Sequence, residues 1–247
     1  MTEPTSRVEV AHEALRRAII EQALKPGTKL PEDEIGALFG MSRTLVRAVL
    51  ARLAGAGLVD ARPKRTATVA QPTLAEAQDV FAVRRALEAE VVRLVIRRWE
   101  PAFGAELEGL VREEDAARAR HDDRVSIRLA GEFHTMLARM SGNALLERYL
   151  GEVVTRCSLI LAVFGRPHSS DCAVNEHSEI IVALRSGDAA RATALMDAHV
   201  EAVAARALLA GKEPAAPSLA SVLADYAGLI EAKSATTSLP KRKRGAP

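Results

Sequence analysis

The chain has 247 residues, too many for one small core and comfortable for two domains. Hydrophobic residues make up 48% and charged residues 27%, an ordinary balance for a soluble protein, and no apolar run approaches the roughly 20 residues that cross a bilayer. A net charge of +2 points to no partner by itself, so the local placement of charge has to carry that question. With aromatics at 3%, the core must be built from Ala, Leu, Val and Ile, a mix that favours packed helices.

The first element expected is a helix over 8–23, where Val8, Ala11, Leu15, Ala18 and Ile19 recur at helical spacing. Pro26-Gly27 within KPGTKLP stops it. EDEIGALFG then reads as a short helix burying Ile35, Leu38 and Phe39, with acidic residues in its first turn and Gly40 as its end. Ser42 can cap a third helix that runs to about Ala54 and buries Leu45, Val46, Val49, Leu50 and Leu53. Two short apolar pieces, LVDAR and TATVA, joined around PKR, read as a small hairpin. Three helices and a hairpin in about 70 residues is the order of a winged helix-turn-helix.

From Thr73 the chain reads as helical almost throughout, near 74–99, 103–120, 124–140, 143–164, 172–186 and 188–211. A further amphipathic helix is expected at 218–232, with Leu219, Val222, Leu223, Tyr226, Leu229 and Ile230 on one face. The basic ending SLPKRKRGAP reads as uncompact. The N-terminus lacks an apolar signal segment, so a cytoplasmic protein is expected. Cys157 and Cys172 sit in no CxxC pair and are expected to be reduced.

Residues 41–66 concentrate positive charge: Arg43, Arg47, Arg52, Arg62, Lys64 and Arg65 against Asp60 alone. A helix starting at Ser42 puts Arg43 and Thr44 in its first turn and Arg47 one turn on, opposite the apolar side. Arginine can make paired bonds to guanine or reach phosphate, and threonine can do either at short range. The second helix of a helix-turn-helix lies in the major groove with its first residues at the base edges. Lys64, Arg65 and Thr66, at the hairpin tip, are placed to reach a neighbouring groove or the backbone. Solvated arginines on an exposed face are the plainer account, but it makes the order of elements a coincidence.

ALRRAIIEQALKPGTKLPEDEIGALFGMSRTLVRAVLARLAGAGLV resembles the DNA-binding domain of the GntR family of bacterial transcription regulators. VRRALEAEVVRL, EFHTMLARMSGN and NEHSEIIVALRSGDAARATALMDAHV resemble the ligand-binding domain of its FadR-like (FCD) branch. The likeness covers about residues 8–210. It implies a mainly α protein with a winged helix-turn-helix domain at 1–72. An all-α antiparallel helical-bundle domain for effector binding and dimerisation follows at 73–213, with an extra helix and basic tail at 214–247. The sequence departs from the family pattern at Leu45 and Ala48, where proline and glutamate are usual, and at Thr66, where the wing carries glycine.

The resemblance also brings His134, His177 and His199 together. Many FCD domains hold a divalent metal with three histidines and an Asp one turn before the first. Here that position is Ala130, and Glu132 is on a different face. Two readings stay open. Three neutral imidazoles can hold Zn²⁺ or Ni²⁺ with positions free for an organic ligand, or the imidazoles bind the effector directly. Arg84 matches a family arginine facing the effector cavity, suited to a carboxylate, or else pairs with Glu88 one turn on. Thr155, Arg156 and Asn175 are further candidates for the pocket.

The function implied is a homodimeric, ligand-responsive transcription regulator, a repressor, on a near-palindromic double-stranded DNA operator. A metal-dependent enzyme using the three histidines is the alternative. HExxH, G-x-S-x-G and P-loop patterns are all absent. A third reading makes the helical domain a dimerisation module without a ligand.

Overall fold

The structure, a computed structural model, describes residues 6–164, 173–207, 219, 220, 222–224 and 226. The N-terminal unit is built from α1 (Arg7–Ile20), β1 (Lys29–Leu30), α2 (Glu32–Phe39), α3 (Arg43–Gly55), β2 (Val59–Asp60) and β3 (Ala67–Val69). Local chemistry sets its boundaries. The Ser6 hydroxyl accepts from Glu9 N at the start of α1, and Ser42 does the same for Leu45 N at the start of α3. Gly40 ends α2 in the left-handed region (φ 60°), which a residue with a Cβ enters only at a cost. Leu15, Ile19, Leu30, Ile35, Val46, Leu53, Leu58 and Val69 fill the core between the three helices and the sheet.

The sheet has the order β1-β3-β2, all antiparallel, with Lys29 opposite Thr68 and Val59 opposite Val69. The sequence reading had the β2–β3 hairpin but not β1. Two residues inside a Pro-Gly turn are too few to show alternation, and only pairing with β3 defines them as a strand. Two burial expectations are corrected. Leu38 is 37% exposed and Leu45 is 43% exposed. The buried stripe of α3 is Val46, Val49, Leu50 and Leu53, and Leu45 falls off its edge, on the side away from Arg43 and Arg47.

The second unit is a bundle of α4 (Leu74–Arg97), α5 (Pro101–Ala119), α6 (Asp123–Met140), α7 (Ala144–Phe164), α8 (Ala173–Ser186) and α9 (Ala189–Ala207). These match the expected helices to within two residues at most described ends. Cys172, the expected helix beyond 207, Leu229, Ile230 and the KRKR tail lie outside the described residues. α4 packs along α9 and also meets α6, α7 and α8, which places it centrally. Phe133, Leu137, Leu150, Ile160, Ile180, Leu184 and Val200 are completely or almost completely buried among these helices. A full capping box opens α4: Thr73 accepts from Glu76 N, and the Glu76 carboxylate accepts from Thr73 N. Thr73→Ala is expected to lower stability by about 1 kcal/mol, read as a shift of the denaturant midpoint at constant slope. No helix among the described residues is long and apolar enough to cross a membrane.

Candidate DNA-reading face and candidate metal centre

Ser42, Arg43, Thr44 and Arg47 are all exposed on the first turns of α3, and Lys64, Arg65 and Thr66 are exposed in the β2–β3 loop. Between them runs a trough of about 730 Å³ whose floor includes Leu50 and Ala51. The Ser42 hydroxyl is engaged as the helix cap. Lys64 adopts a left-handed backbone (φ 61°) at the tip of the loop. One feature had no sequence signal beyond the acidic first turn of α2. Asp33 accepts two bonds from Arg43, at 2.6 and 2.8 Å, and Glu32 holds Arg47 Nε at 2.9 Å. The arginines are thereby held in place above the trough by carboxylates of the preceding helix. Hydrogen bonding to Glu32 raises the already high pKa of Arg47.

The three histidines come from α6, α8 and α9 and are nearly fully buried. One ligand atom from each lies within 4.8 Å of the others, and the Nε2 atoms of His134 and His199 are 3.2 Å apart. Two tetrahedral ligands of zinc, each about 2.0–2.1 Å from the ion, stand roughly 3.3 Å apart. That pair is already at a chelating distance.

Each Nδ1 faces a carboxylate. His134 Nδ1 is 2.7 Å from Glu88, His177 Nδ1 is 3.1 Å from Glu114, and His199 Nδ1 is 2.6 Å from Glu176. For His177 and His199 the carboxylate is hydrogen-bonded to Nδ1, which favours the tautomer protonated there and leaves a bare Nε2 as the electron-pair donor; His134 Nδ1 is near Glu88 but makes no hydrogen bond. The Nε2 of His177 is buried without a hydrogen-bond partner, as is the Nδ1 of His134. A buried, unpaired imidazole nitrogen beside two others is what a cation would satisfy. Burial, reinforced by Arg84 and His177, holds His134 well below the usual histidine range. Burial likewise lowers His199 to about 3, against the opposing bond from Glu176. Neutral imidazoles are the ligating form. The hydrogen bond from His199 draws Glu176 down to about 2, so the carboxylate stays ionised.

The histidines form one wall of a small cavity of about 90 Å³, otherwise lined mainly by apolar side chains including Val154, Leu161 and Val203. Ala130 and Gly131 of α6 also face it, so the place of the missing carboxylate is an open part of the wall. Arg84 lies on the cavity and bonds Glu88 one turn on at 3.1 Å. The other three effector candidates are not on this cavity. The Thr155 hydroxyl is turned onto the Gly151 carbonyl, and Asn175 is exposed. Arg156 is exposed and donates to the Ala56 carbonyl of the N-terminal unit. All three sit on helix faces turned away from the cavity.

Several residues of the site escaped the sequence reading. Glu88 has a sequence signal only as a partner of Arg84, Cys157 only as a reduced thiol, and Glu114, Glu176 and Arg206 none as part of a site. Glu176 lies beside His177 in NEHSE and could have been noticed. Glu114 stands 63 residues before the histidine it supports, and only the packing of α5 on α8 joins them. Phe133, stacked on the His177 ring at 4.0 Å between centroids, was hidden next to His134 itself.

Comparison with known proteins agrees with both units. Residues 7–69 match the bacterial regulatory proteins of the gntR family, and residues 79–202 match the FCD domain. An HTH-type transcriptional regulator from an unstable DNA locus of Streptomyces ambofaciens is 31% identical over 198 residues, covering 76% of this chain and 80% of the relative. The HTH-type transcriptional repressor RspR of Escherichia coli K12 is 24% identical over 202 residues, covering 81% and 89%. The crystal structure of a GntR transcriptional regulator from Rhodococcus sp. RHA1 superposes with a TM-score of 0.74 at 26% identity, covering 84% of this chain and all of that one. The chain therefore belongs to the GntR family and carries an FCD domain: it is a DNA-binding transcription regulator and not an enzyme.

Proposed function

We propose that the protein is a homodimeric, ligand-responsive repressor whose bundle senses a small carboxylate through a histidine-bound Zn²⁺ or Ni²⁺. Residues 1–72 form the reading unit, residues 73–213 the sensing and dimerising unit, and residues 214–247 an extension. Arg43, Thr44 and Arg47 enter the major groove, positioned by the cap at Ser42, while Lys64, Arg65 and Thr66 contact the flanking groove or backbone. Two such units on a dimer call for a near-palindromic operator with half-sites about 34 Å apart, or a multiple of that. RspR is named a repressor, which favours that direction of control here.

The observation that carries the sensing part is the orphaned Nε2 of His177 beside the Nε2 atoms of His134 and His199, with the Nδ1 atoms of His177 and His199 hydrogen-bonded to Glu114 and Glu176. A bound divalent ion would supply a Lewis-acidic position to which an effector carboxylate can attach. Glu114 and Glu176 orient the imidazoles of His177 and His199, and Arg84 supplies a fixed positive charge at the cavity wall. With Ala130 in place of a carboxylate, the protein contributes three ligands and leaves more of the shell to the effector.

The test is elemental mass spectrometry of untagged protein prepared without chelators, beside His134→Ala. About one zinc or nickel per chain, lost in the variant, is expected. Metal-free wild-type protein that still takes up no added zinc would overturn the metal reading. The imidazoles and Arg84 would then be left to hold the effector directly.

A further inference from the structure

The described helical residues 219, 220, 222–224 and 226 lie beyond both regions that match known families. Leu219, Val222, Leu223 and Tyr226 are all buried, and they join the core of the N-terminal unit rather than the core of the bundle. Leu159 of α7 belongs to that same core. A segment that follows the bundle in sequence thus returns to close over the DNA-reading unit where α1 meets α6 and α7.

The centre of this junction is Glu21, the residue that ends α1, which is only 4% exposed. The Tyr226 hydroxyl donates to its carboxylate. Arg17 of α1 bonds it at 2.9 Å and also sits 5.7 Å from the centroid of the Tyr226 ring. Arg128 of α6 reaches it at 3.1 Å. Three pieces of chain, far apart in sequence, therefore converge on one buried negative charge. A buried charge that loses a partner is costly, so these contacts favour being made together.

We infer that residues 219–226 are a strap that locks the DNA-reading unit onto α6 and α7, making the two units one cooperative body. The two helices it secures are also walls of the effector cavity. Along α6, Ala130, Gly131 and His134 face the cavity while Arg128 faces Glu21. Along α7, Val154 and Cys157 face the cavity while Leu159 enters the core of the reading unit. A shift of either helix on ligand binding is thus a shift of the surface that holds α1. The strap keeps that surface engaged, so that movement in the bundle reaches α1 instead of being lost at a loose joint. Such transmission needs a physically continuous contact between the two sites, and the strap supplies it.

Hydrogen exchange of the full-length, metal-free protein tests this directly. The double variant Leu223→Ala/Tyr226→Phe is expected to speed exchange of α1–α3 amides about 10-fold or more, while those of α4–α9 keep their wild-type rates. Arg128→Gln leaves the apolar contacts of the strap intact and is expected to give a smaller change confined to the same region. Unchanged exchange in α1–α3, or equal acceleration in both units, would overturn the strap. A second arm adds zinc alone and rests on the metal reading. In wild type, protection gained in α6 should extend to α1; in the double variant it should stop at the bundle. Equal spread of protection in both proteins would again overturn the strap. If zinc protects nothing even in wild type, the metal reading fails, and the metal-free comparison alone decides the strap.

Discussion

Arg43→Ala/Arg47→Ala is expected to lower operator affinity about 100-fold or more while leaving the fold and the melting temperature close to wild type. Both guanidinium groups are on the exposed side of α3, whose buried side is Val46, Val49, Leu50 and Leu53, so their removal leaves the core untouched. A bidentate arginine discriminates strongly among base pairs, and losing two phosphate-type contacts lowers the salt dependence of binding by about two counterions. Binding to a duplex selected from random sequence, titrated at several salt concentrations, gives both quantities. Wild-type affinity in the double variant would sink the assignment of the reading face. The partners of these arginines set an opposite control. Neutralising Glu32 and Asp33 removes two negative charges from the trough and is expected to raise affinity for non-specific DNA, because the freed guanidinium groups can meet any phosphate.

Phe133→Ala is expected to have the largest effect on the bundle. The side chain is fully buried, and truncation at such a site costs about 3–5 kcal/mol through lost transfer free energy and the cavity left behind. Its ring also lies flat against His177, at an interplanar angle of 19°, and meets His134 edge-on. The variant should therefore lose stability and orientation of the histidines together. Phe133→Leu restores much of the volume without the flat face, so it is expected to recover most of the stability but less of the zinc uptake. Chemical denaturation and zinc titration of both variants separate the two roles. A loss below about 1 kcal/mol for the alanine variant would contradict the packing described for α6.

The elements that were legible in the sequence are those governed by neighbours along the chain. Ser42 three residues before Leu45 N, Gly40 at a left-handed helix end, and the Thr73–Glu76 box are local hydrogen-bonding facts. The apolar period of α4–α9 is equally local, and those helices appear where the period puts them. Leu45 and Leu38 were misplaced because helical spacing defines a stripe only to within about one residue at its edge. Neighbouring helices decide which edge is covered.

The exposure of the basic flank was also legible, since its residues lie within one short motif: Arg43, Thr44 and Arg47 share one exposed flank of α3. That Arg43 and Arg47 are clasped by Asp33 and Glu32 was not, because ion pairing across two helices depends on the angle of the turn between them. The histidines show the same division. Resemblance placed His134, His177 and His199 together, but neither period nor spacing could connect them with Glu88, Glu114 and Glu176. Arg156 lies off the histidine cavity for the same reason: one helical position rotates a side chain by about 100°, enough to carry it from that cavity to the opposite unit.

By itself the sequence determined where the helices lie to within a few residues, which family the chain resembles, and which flank of α3 is basic, because hydrogen-bond capping and amphipathic period act over three or four residues. Only the tertiary structure decided that α5 brings Glu114 to His177, that β1 is a strand, and that Tyr226 closes on Glu21 across 205 positions of chain. Those contacts join groups that no local rule relates, and they form because burying the apolar faces of the helices leaves their polar groups only each other as partners.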